Sequence, residues 1–597
     1  MNCAQNPCPN ALEGTASNLF LNLINTLMAT QCALNPRASY PDDIGSKLIN
    51  GSEFDFIIVG AGSAGSAVAN RLSENPKWRI LVLEAGKYPS ASSEVPALFL
   101  YMKHTAEDWQ YQTVNKYACL GLAKGCIWSR GKVLGGSSTI NGCMYVRGNP
   151  LAYNNWNDLG NKGWGWDEVL PYFKKSENTT RESYRTSPLH GTSGYLTTSY
   201  VKSNSYVKNM YMEGAKQVGM LISDDEPSLG YYEVLATIRD GKRCSASKAY
   251  LASAANRNNL FLATEAEVGQ VIFDKTTAKG VLVKINSKLI NVYAKKEVIL
   301  SAGTIKSPTI LQNSNIGLRE DLGRKPLVNL HVGRNLLDHL AIFTLFITLN
   351  DTASEADEPD RIFDYFTANK GSLSNIGGSN FVGFINTKNK NAKIANVQIF
   401  NTFYPKNSPD IHRELEIIGL DTISTKSILE ASTKSILWQV APAILNPKSV
   451  GTLLTKSLFD APIIKPNYLQ DGRDIRTLLE AVKFIKSLIQ TKAFQRAGAK
   501  LFIMKSPYCL QDASTDSYWR CHIKHYATTA YNPVGTCKMG PKNIATSVVD
   551  STLKVHGLNR IRVIDASIMP TIIPGNTNAP AMMIGEKGSA FIKEDWM

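Results

Sequence analysis

Three glycines and one glutamate have the types and spacing needed to hold a nucleotide through its phosphates. Gly60, Gly62 and Gly65 follow the pattern G-x-G-x-x-G, and Glu84 lies 19 residues after the last of them. The first glycine permits a tight turn, the second lets a pyrophosphate approach the backbone, and the third lets a helix pack on a strand. The carboxylate of Glu84 can then accept hydrogen bonds from the ribose hydroxyls of an adenosine.

The elements that must position these residues are visible on either side of them. Residues 56–59 form the apolar, β-branched run of a strand buried on both faces, and residues 66–72 continue as a small-residue helix. Residues 80–83 form a second apolar strand that ends at Glu84. This order predicts an α/β dinucleotide fold, with the phosphates at the positive end of the helix. An acid at Glu84 with no arginine beside it favours NAD or FAD over NADP.

Three later segments also have informative patterns. Residues 130–147, RGKVLGGSSTINGCMYVR, contain too much Gly and Ser for an ordinary amphipathic helix and suit backbone lying against a planar ring or a phosphate. Residues 303–317, GTIKSPTILQNSNIG, follow an apolar strand and predict a strand-turn-helix unit. Near the end of the chain, residues 561–564 predict a strand that ends in Asp565.

Composition and charge exclude several classes of function. The chain has 597 residues, is 43% apolar and 19% charged, and carries a net charge of +15. Its lysines and arginines are scattered, with no dense basic run and no zinc module, so we expect no nucleic-acid binding. No stretch reaches the roughly 20 apolar residues that span a membrane.

Cysteines and glycosylation sequons favour an oxidising, secreted setting. The cysteines that lie close together in sequence are Cys3, Cys8 and Cys32, then Cys119 with Cys126, and Cys509 with Cys521. No C-x-x-C or Cys/His set has zinc spacing, so no metal site is predicted. The sequons begin at Asn50, Asn178 and Asn350. No signal peptide is visible, as in a mature form numbered after cleavage.

Taken together, the separated segments resemble one family, the glucose-methanol-choline (GMC) oxidoreductases, which are FAD enzymes. RGKVLGGSSTIN resembles the first family signature, and residues 303–317 resemble the second, with Asn315 where a glycine is usual. The segments MYVRGNP and NPVGTCKMGP are most similar to those of the insect branch. That branch includes glucose dehydrogenases and salicyl alcohol oxidases and is largely secreted.

The resemblance implies a Rossmann-like FAD-binding domain interleaved with an α+β substrate-binding domain. We expect an N-terminal extension at residues 1–49 with one helix near residues 15–31. The FAD-binding region then covers residues 50–339, with insertions from the substrate domain. Residues 340–540 bind the substrate, and residues 541–597 return to the FAD-binding domain.

The resemblance also assigns roles to residues of this sequence. The residues that it places along FAD are Gly60, Gly62, Gly65, Glu84, Gly135, Gly136, Ser137, Asn141, Val268, Asp565 and Ala566. Some family members attach FAD through a histidine just before the signature asparagine. That position is Ile140 here, so non-covalent FAD is expected.

The catalytic position departs from the family pattern. Where the family has His-Pro-Val-Gly-Thr, this chain has Asn532, and the partner position is Asn576. A carboxamide can orient a hydroxyl but cannot accept its proton. His525 is a candidate replacement base, and His522 lies near it in sequence.

Three functions remain open at this stage. The first is oxidation of a primary alcohol or related hydroxyl compound, either an apolar or aromatic alcohol or a sugar, by hydride transfer to flavin N5, with oxygen or a quinone as second acceptor. The second is a hydroxynitrile lyase, cleaving cyanohydrins with a structural FAD. The third is a flavoprotein without turnover. The sequence leaves the substrate and the oligomeric state undetermined.

Overall fold

The computed structural model describes residues 39–200, 205–226, 228–350, 364–365, 367–376 and 380–597. The helix expected near residues 15–31 and the cluster Cys3, Cys8 and Cys32 lie outside these residues. Among the described helices, none combines the length and the apolar character needed to cross a bilayer.

Two sheets dominate the described chain. Their strands, in chain order, are β1 Ser52–Val59, β2 Ile80–Leu83, β3 Gly230–Glu233, β4 Leu260–Ala263, β5 Ala266–Asp274, β6 Thr277–Ile285, β7 Lys288–Leu300, β8 Leu340–Ala341, β9 Phe346–Leu349, β10 Phe381–Ile385, β11 Val397–Tyr404, β12 Ile436–Ile444, β13 Lys500–Phe502, β14 Thr528–Thr529 and β15 Ile561–Val563. Short strands outside these sheets pair as Tyr111–Gln112 with Ile127–Trp128, Met144–Tyr145 with Leu235–Ala236, Glu177–Thr179 with Leu196–Thr198, Ile238–Arg239 with Lys242–Arg243, and Thr452–Leu454 with Ile463–Lys465.

The helices cover the sheets and supply the turns at their ends. The main ones are α1 Ser63–Leu72, α2 Ser137–Ile140, α3 Pro150–Asp158, α4 Trp166–Ser176, α5 Ser205–Gln217, α6 Gly303–Asn313, α7 Pro409–Ile418, α8 Thr422–Ser432, α9 Gly472–Ile489, α10 Asp516–Tyr526 and α11 Asn578–Trp596. Short helices lie at Ala91–Glu94, Glu182–Arg185, Arg319–Leu322 and Lys492–Arg496.

The first sheet has the order β4-β2-β1-β7-β6-β5, and β15 pairs with β7. β4, β2, β1, β7 and β15 are parallel, whereas β5, β6 and β7 form an antiparallel meander. β1 is buried on both faces over its second half, as its apolar run predicts. α1 packs on α11, where Arg71 Nε donates to Glu586 Oε2 at 2.7 Å in a buried ion pair. The chain therefore returns at its end to the domain that its first strand began.

The second sheet has the order β13-β9-β12-β11-β10-β3, and β8 pairs with β12 and β14. All of its pairings are antiparallel, and every residue of β12 is buried. Its core contains a stack of Trp438 on Phe494, with ring centroids 5.0 Å apart. β3 enters this sheet from the segment between β2 and β4 of the first sheet. This crossing is the interleaving that the family resemblance implies, although the domain boundaries at residues 340 and 540 stay a prediction.

Two disulfides, whose pairing the sequence left open, join neighbouring cysteines of the described chain. Cys119 is bonded to Cys126, and Cys509 to Cys521. The second disulfide ties α10 to the segment that follows β13.

Candidate active site

A long cavity runs between the carboxyl ends of the parallel strands and one face of the second sheet. Its wall includes the ends of β1 and β2 with Gly60, Gly62 and Glu84. The same wall includes Asn532 and Asn576. In open α/β sheets, ligands bind beyond the carboxyl ends of the strands. This cavity therefore lies at the position where the first sheet is expected to bind a ligand.

The glycine turn has the tight backbone that its sequence pattern predicts. Gly60 has a φ of +96°, and a Cβ on Gly65 would lie 1.9 Å from the carbonyl oxygen of Gly60. Glu84 closes the turn, because its Oε2 accepts from the Ala61 amide at 2.9 Å and its Oε1 from the Gly86 amide at 2.8 Å. Burial raises the pKa of Glu84 to about 7, against the lowering effect of these amides. Its carboxylate lines the cavity and suits hydroxyl donors such as those of a ribose.

The N-terminus of α1 opens onto the middle of the cavity. Gly62 occupies its N-cap position without a side-chain cap, so the first amides of the helix are available to an anion. Gly136 lies directly opposite, and a Cβ there would come within 2.8 Å of the Cα of Gly62. The two glycine-rich segments thus approach each other as bare backbone, which leaves room for a pyrophosphate.

Asp565 holds the second signature in place from within the protein. Its Oδ2 accepts from the Gly303 amide at 2.9 Å and from Ser307 Oγ at 2.6 Å, and its Oδ1 accepts from the Ser567 amide at 2.8 Å. Burial raises the pKa of this carboxyl. Asp565 and the start of α6 both line the cavity.

Two buried polar atoms in the cavity wall have no partner among the described residues. They are the hydroxyls of Tyr111 and Ser129. Buried hydroxyls are nearly always hydrogen-bonded, so we expect a bound molecule to supply the partners of these two hydroxyls. Together with the bare backbone at Gly62 and Gly136 and the buried Glu84, they fit a dinucleotide with a polar ring system such as FAD.

Asn532 is fixed by the backbone and side chains around it. Its amide donates to Asp338 Oδ1 at 2.8 Å, and its Nδ2 donates to the Ala530 carbonyl at 2.8 Å. Its Oδ1 accepts from the Thr577 amide at 3.2 Å and from Thr577 Oγ1 at 3.1 Å. The second Nδ2 hydrogen makes no hydrogen bond to a described residue. Asn532 can therefore donate one hydrogen bond to a molecule in the cavity, but it has no free acceptor.

The loop before Asn532 is held in an unusual conformation. Tyr531 has a φ of +62°, which non-glycine residues rarely adopt. Its carbonyl accepts from Arg130 Nη1 at 2.8 Å, and Asp338 Oδ2 accepts from Thr529 Oγ1 at 2.6 Å. Burial raises the pKa of Asp338 to about 6. These contacts set the direction of the Asn532 side chain.

Asn576 lies in the same cavity and is supported from the second sheet. Its Oδ1 accepts from Gln398 Nε2 of β11 at 3.2 Å. Its Nδ2 and one lone pair of Oδ1 are left for a ligand. Asn532 and Asn576 therefore form a pair of carboxamides that can hold one hydroxyl group between a donor and an acceptor.

The structure does not bring His525 to these residues. Its ring stacks on Tyr508 with centroids 4.9 Å apart, and its Nδ1 lies 2.9 Å from the Cys521 carbonyl, beside the disulfide. His522 is also turned away and lies 2.9 Å from Thr344 Oγ1, with its pKa lowered by burial to about 3. Neither ring lines the cavity. The expectation that His525 replaces the missing base is corrected on this geometry.

Most of the other predicted site residues line the cavity, and two do not. Those in the wall are Gly60, Gly62, Glu84, Gly136, Ser137, Asn141, Val268, Asp565, Ala566, Asn532 and Asn576, together with Ile140. Gly65 and Gly135 instead serve packing. A Cβ on Gly135 would meet Thr139 Oγ1 at 2.3 Å.

Sequence reasoning missed the wall formed by the second sheet and its helices. These residues are Lys103, Phe343, Phe400, Glu414, Ile418 and Gln439. They come from five separate elements or loops and belong to no motif. Trp109 and Tyr111, which precede the first signature in sequence, also line the cavity.

Known proteins share this arrangement over almost the whole chain. Residues 54–341 match the N-terminal model of the GMC oxidoreductases, and residues 447–585 match the C-terminal model. The chain is 34% identical to the glucose dehydrogenase (FAD, quinone) of Drosophila pseudoobscura pseudoobscura, across 98% of this chain and 93% of the relative. It is 32% identical to the ecdysone oxidase of Bombyx mori, across 98% of this chain and 88% of the relative.

A solved structure, pyridoxine 4-oxidase from Mesorbium loti, superposes with a TM-score of 0.76 at 26% identity. It covers 91% of this chain and 99% of its own. Formate oxidase has a TM-score of 0.78 at 24% identity and shares the fold.

Proposed function

The chain belongs to the GMC oxidoreductase family, and from this premise we propose that it is an FAD-dependent enzyme that oxidises the carbinol carbon of a small-molecule alcohol. The observation that carries the proposal is the single cavity that joins the nucleotide-binding turn at Glu84 to the carboxamide pair Asn532 and Asn576. Insect relatives named as a glucose dehydrogenase and an ecdysone oxidase support a hydroxyl compound as substrate.

Residues of both signatures would hold the cofactor along the cavity. Glu84 would accept from the ribose hydroxyls, and the α1 amides behind Gly62 would bind the pyrophosphate. Asn141 would lie along the isoalloxazine ring, and Asp565 and Ala566 would lie near the ribityl chain. Ile140 offers no nucleophile, so the proposal includes non-covalent FAD, which acid precipitation of the protein should release into solution.

The two asparagines would orient the substrate hydroxyl. The free Nδ2 hydrogen of Asn532 can donate to the hydroxyl oxygen, and Asn576 Oδ1 can accept the hydroxyl hydrogen. Bound FAD supplies the hydride acceptor. Neither carboxamide can take the hydroxyl proton, so we assign proton removal to water in the cavity. Loss of a side-chain base lowers the rate by about a hundred- to ten-thousand-fold relative to an enzyme that has one.

The test is the visible spectrum of the purified holoenzyme without oxygen, before and after addition of primary alcohols, sugars and hydroxylated terpenoids. The proposal predicts that the oxidised flavin band bleaches with at least one of them. A band that stays oxidised with all of them, combined with cyanide release from mandelonitrile, would favour the hydroxynitrile lyase. An oxidised band without cyanide release would favour a flavoprotein without turnover.

We also propose that the protein works outside the reducing cytosol and passes electrons to oxygen or a quinone. Two disulfides support an oxidising setting. Asn50 and Asn350, which begin two of the sequons, are exposed and accessible to glycosylation. Reoxidation of the reduced enzyme by air and by a soluble quinone, measured separately, would identify the acceptor.

A further inference from the structure

The cavity wall contains two oppositely charged groups, Lys103 and Glu414, that make no direct ion pair with any described residue, although each charge acts on the other. Of the charged residues in the wall, Glu84 and Asp565 bind backbone amides, Lys306 binds Glu267 at 2.6 Å, and Arg130 binds a carbonyl. Lys103 and Glu414 are different. Among the described residues, neither makes an ion pair within 4.0 Å. The shortest polar contact of the Glu414 carboxylate is to Gln439 Nε2, at 3.5 Å.

These two groups lie together at one end of the pocket. Glu414 is on α7, and the neighbouring Arg413 donates to the Lys103 carbonyl. Tyr101 Oη donates to Asp410 Oδ1 of the same helix at 3.0 Å. The loop that carries Lys103 is therefore tied to the helix that carries Glu414, and Lys103 Nζ lies 4.1 Å from the centroid of the Tyr531 ring.

Glu414 is buried, with 7% of the residue exposed, and Lys103 is partly buried. Burial raises the pKa of Glu414 and lowers that of Lys103, and the opposite charge of each group acts against these shifts. Desolvated charges that lack hydrogen bonds are costly, so this end of the cavity is best satisfied by a ligand that supplies hydrogen bonds to both groups.

Strand β11 runs past both sites, so the distance between the Lys103–Glu414 pair and the carboxamide pair can be estimated along it. Gln398 contacts Asn576, and Thr402, four residues along, faces the same side. In the register of the sheet, Thr402 lies opposite Gln439, whose Nε2 donates to Glu414 Oε1 at 3.5 Å. At roughly 3.3 Å per residue, the two strand positions are about 13 Å apart.

The wall between the two ends is apolar. Phe343 and Phe400 form a stacked pair with centroids 6.4 Å apart, and Ile418 of α7 joins them. A molecule that extends from one end to the other must therefore have an apolar body.

The chemistry of the distal end selects among polar groups. Lysine is a donor only, and an ionised glutamate is an acceptor only. A substrate carboxylate would be repelled by Glu414, and an ammonium would be repelled by Lys103. A carbonyl could satisfy Lys103 alone. A hydroxyl can accept from Lys103 and donate to Glu414 at the same time.

We propose that Lys103 and Glu414 form a recognition site for a second hydroxyl group, so that the preferred substrate is an elongated, mainly apolar alcohol with hydroxyls at both ends. This inference rests on the proposed function, because it takes the carboxamide pair as the reacting end. Lys103 and Glu414 bind and select in this account, and the bond-breaking step takes place at Asn532 and Asn576.

The experiment compares α,ω-diols with 1-alkanols of the same chain length. Anaerobic flavin reduction gives kcat/KM for each compound, and we expect the wild-type enzyme to prefer the diol at a chain length that spans the two ends. Glu414→Leu and Lys103→Met should each reduce the diol-to-alkanol ratio by about tenfold or more, as expected for a hydrogen bond to a charged group. Glu414→Gln, which keeps volume and hydrogen-bonding capacity, should lie between them and wild type.

Glu430→Gln is the matched control, because Glu430 is exposed on the neighbouring α8 and its one ion pair within the described chain is with Lys426, at 3.9 Å. It should keep the wild-type ratio. An equal ratio in wild type, Glu414→Leu and Lys103→Met would overturn the proposal.

Calorimetric titration of the chemically reduced holoenzyme separates the recognition site from the proposed reaction, because reduced flavin permits no turnover. Tighter binding of the diol that is lost in Glu414→Leu would support the recognition site even if no alcohol bleached the flavin. Equal dissociation constants for the diol and the alkanol in the wild-type enzyme would overturn it, whatever the result of the activity assay.

Discussion

Replacing Asn532 with histidine tests directly what the carboxamide costs the reaction. The substitution supplies an imidazole, whose ordinary pKa of about 6.5 allows it to take a hydroxyl proton near neutral pH. We expect the anaerobic rate of flavin reduction to rise by about a hundred- to ten-thousand-fold if the ring reaches the substrate hydroxyl.

The same substitution should destabilise the protein by a predictable amount. Asn532 Oδ1 accepts from the Thr577 amide and from Thr577 Oγ1, and both donors are buried. A buried donor that loses its acceptor costs about 1–3 kcal/mol. Asn532→His should therefore lower the free energy of unfolding by that order while it raises the rate.

Stopped-flow absorbance at a series of pH values is the assay, with a substrate that bleaches the wild-type flavin. A general base must be neutral, so the rate of Asn532→His should rise with pH through the imidazole pKa, and the wild-type rate should lack this step. Asn532→Gln is the control, because it keeps a carboxamide. A folded, FAD-loaded Asn532→His enzyme that is no faster than wild type at any pH would refute the reasoning.

Three further predictions concern the cofactor turn, an acid-sensitive histidine and a disulfide. Gly65→Ala should be purified without flavin, because the new Cβ would lie 1.9 Å from the Gly60 carbonyl oxygen; a normal ratio of flavin to protein absorbance would contradict this. His522 has a folded-state pKa lowered to about 3, so its stabilisation is complete above the unfolded pKa of about 6.5 and is lost as pH falls toward 3. In denaturant unfolding at a series of pH values, the free energy of unfolding of His522→Gln should fall less steeply below a pH of about 6.5 than that of wild type. An equal fall in both proteins would show that the buried ring does not cause the acid sensitivity. Replacing Cys509 and Cys521 together with serine should lower the free energy of unfolding by about 3 kcal/mol, the order expected for a loop of this length; an unchanged calorimetric melting temperature would count against it.

Local pattern was sufficient for the part of the fold that binds the nucleotide. The run at residues 56–59, the glycine turn and Glu84 are adjacent in sequence, so each constrains the next, and the structure has them as β1, α1 and β2. The meander of β5, β6 and β7 also follows local pattern, because its short apolar runs are separated by turns.

The far side of the cavity could not be read from sequence because its residues meet only in three dimensions. Lys103 lies in a loop before the first signature, and Glu414 is on a helix more than three hundred residues later. Neither belongs to a periodic or motif pattern. His525 illustrates the opposite failure. Its closeness in sequence to Asn532 suggested closeness in space, but α10 ends at Tyr526 and the positive φ of Tyr531 redirects the chain.

Flavin reduction with an alcohol whose carbinol carbon carries deuterium shows whether this enzyme breaks a carbinol C–H bond. It uses the intact holoenzyme without oxygen and compares the bleaching rate with that of the unlabelled alcohol. If the carbinol C–H bond breaks as the flavin is reduced, bleaching should be clearly slower with the labelled compound, and the carbonyl product should form in proportion to reduced flavin. Flavin that stays oxidised with every alcohol tested, diols included, would contradict the account.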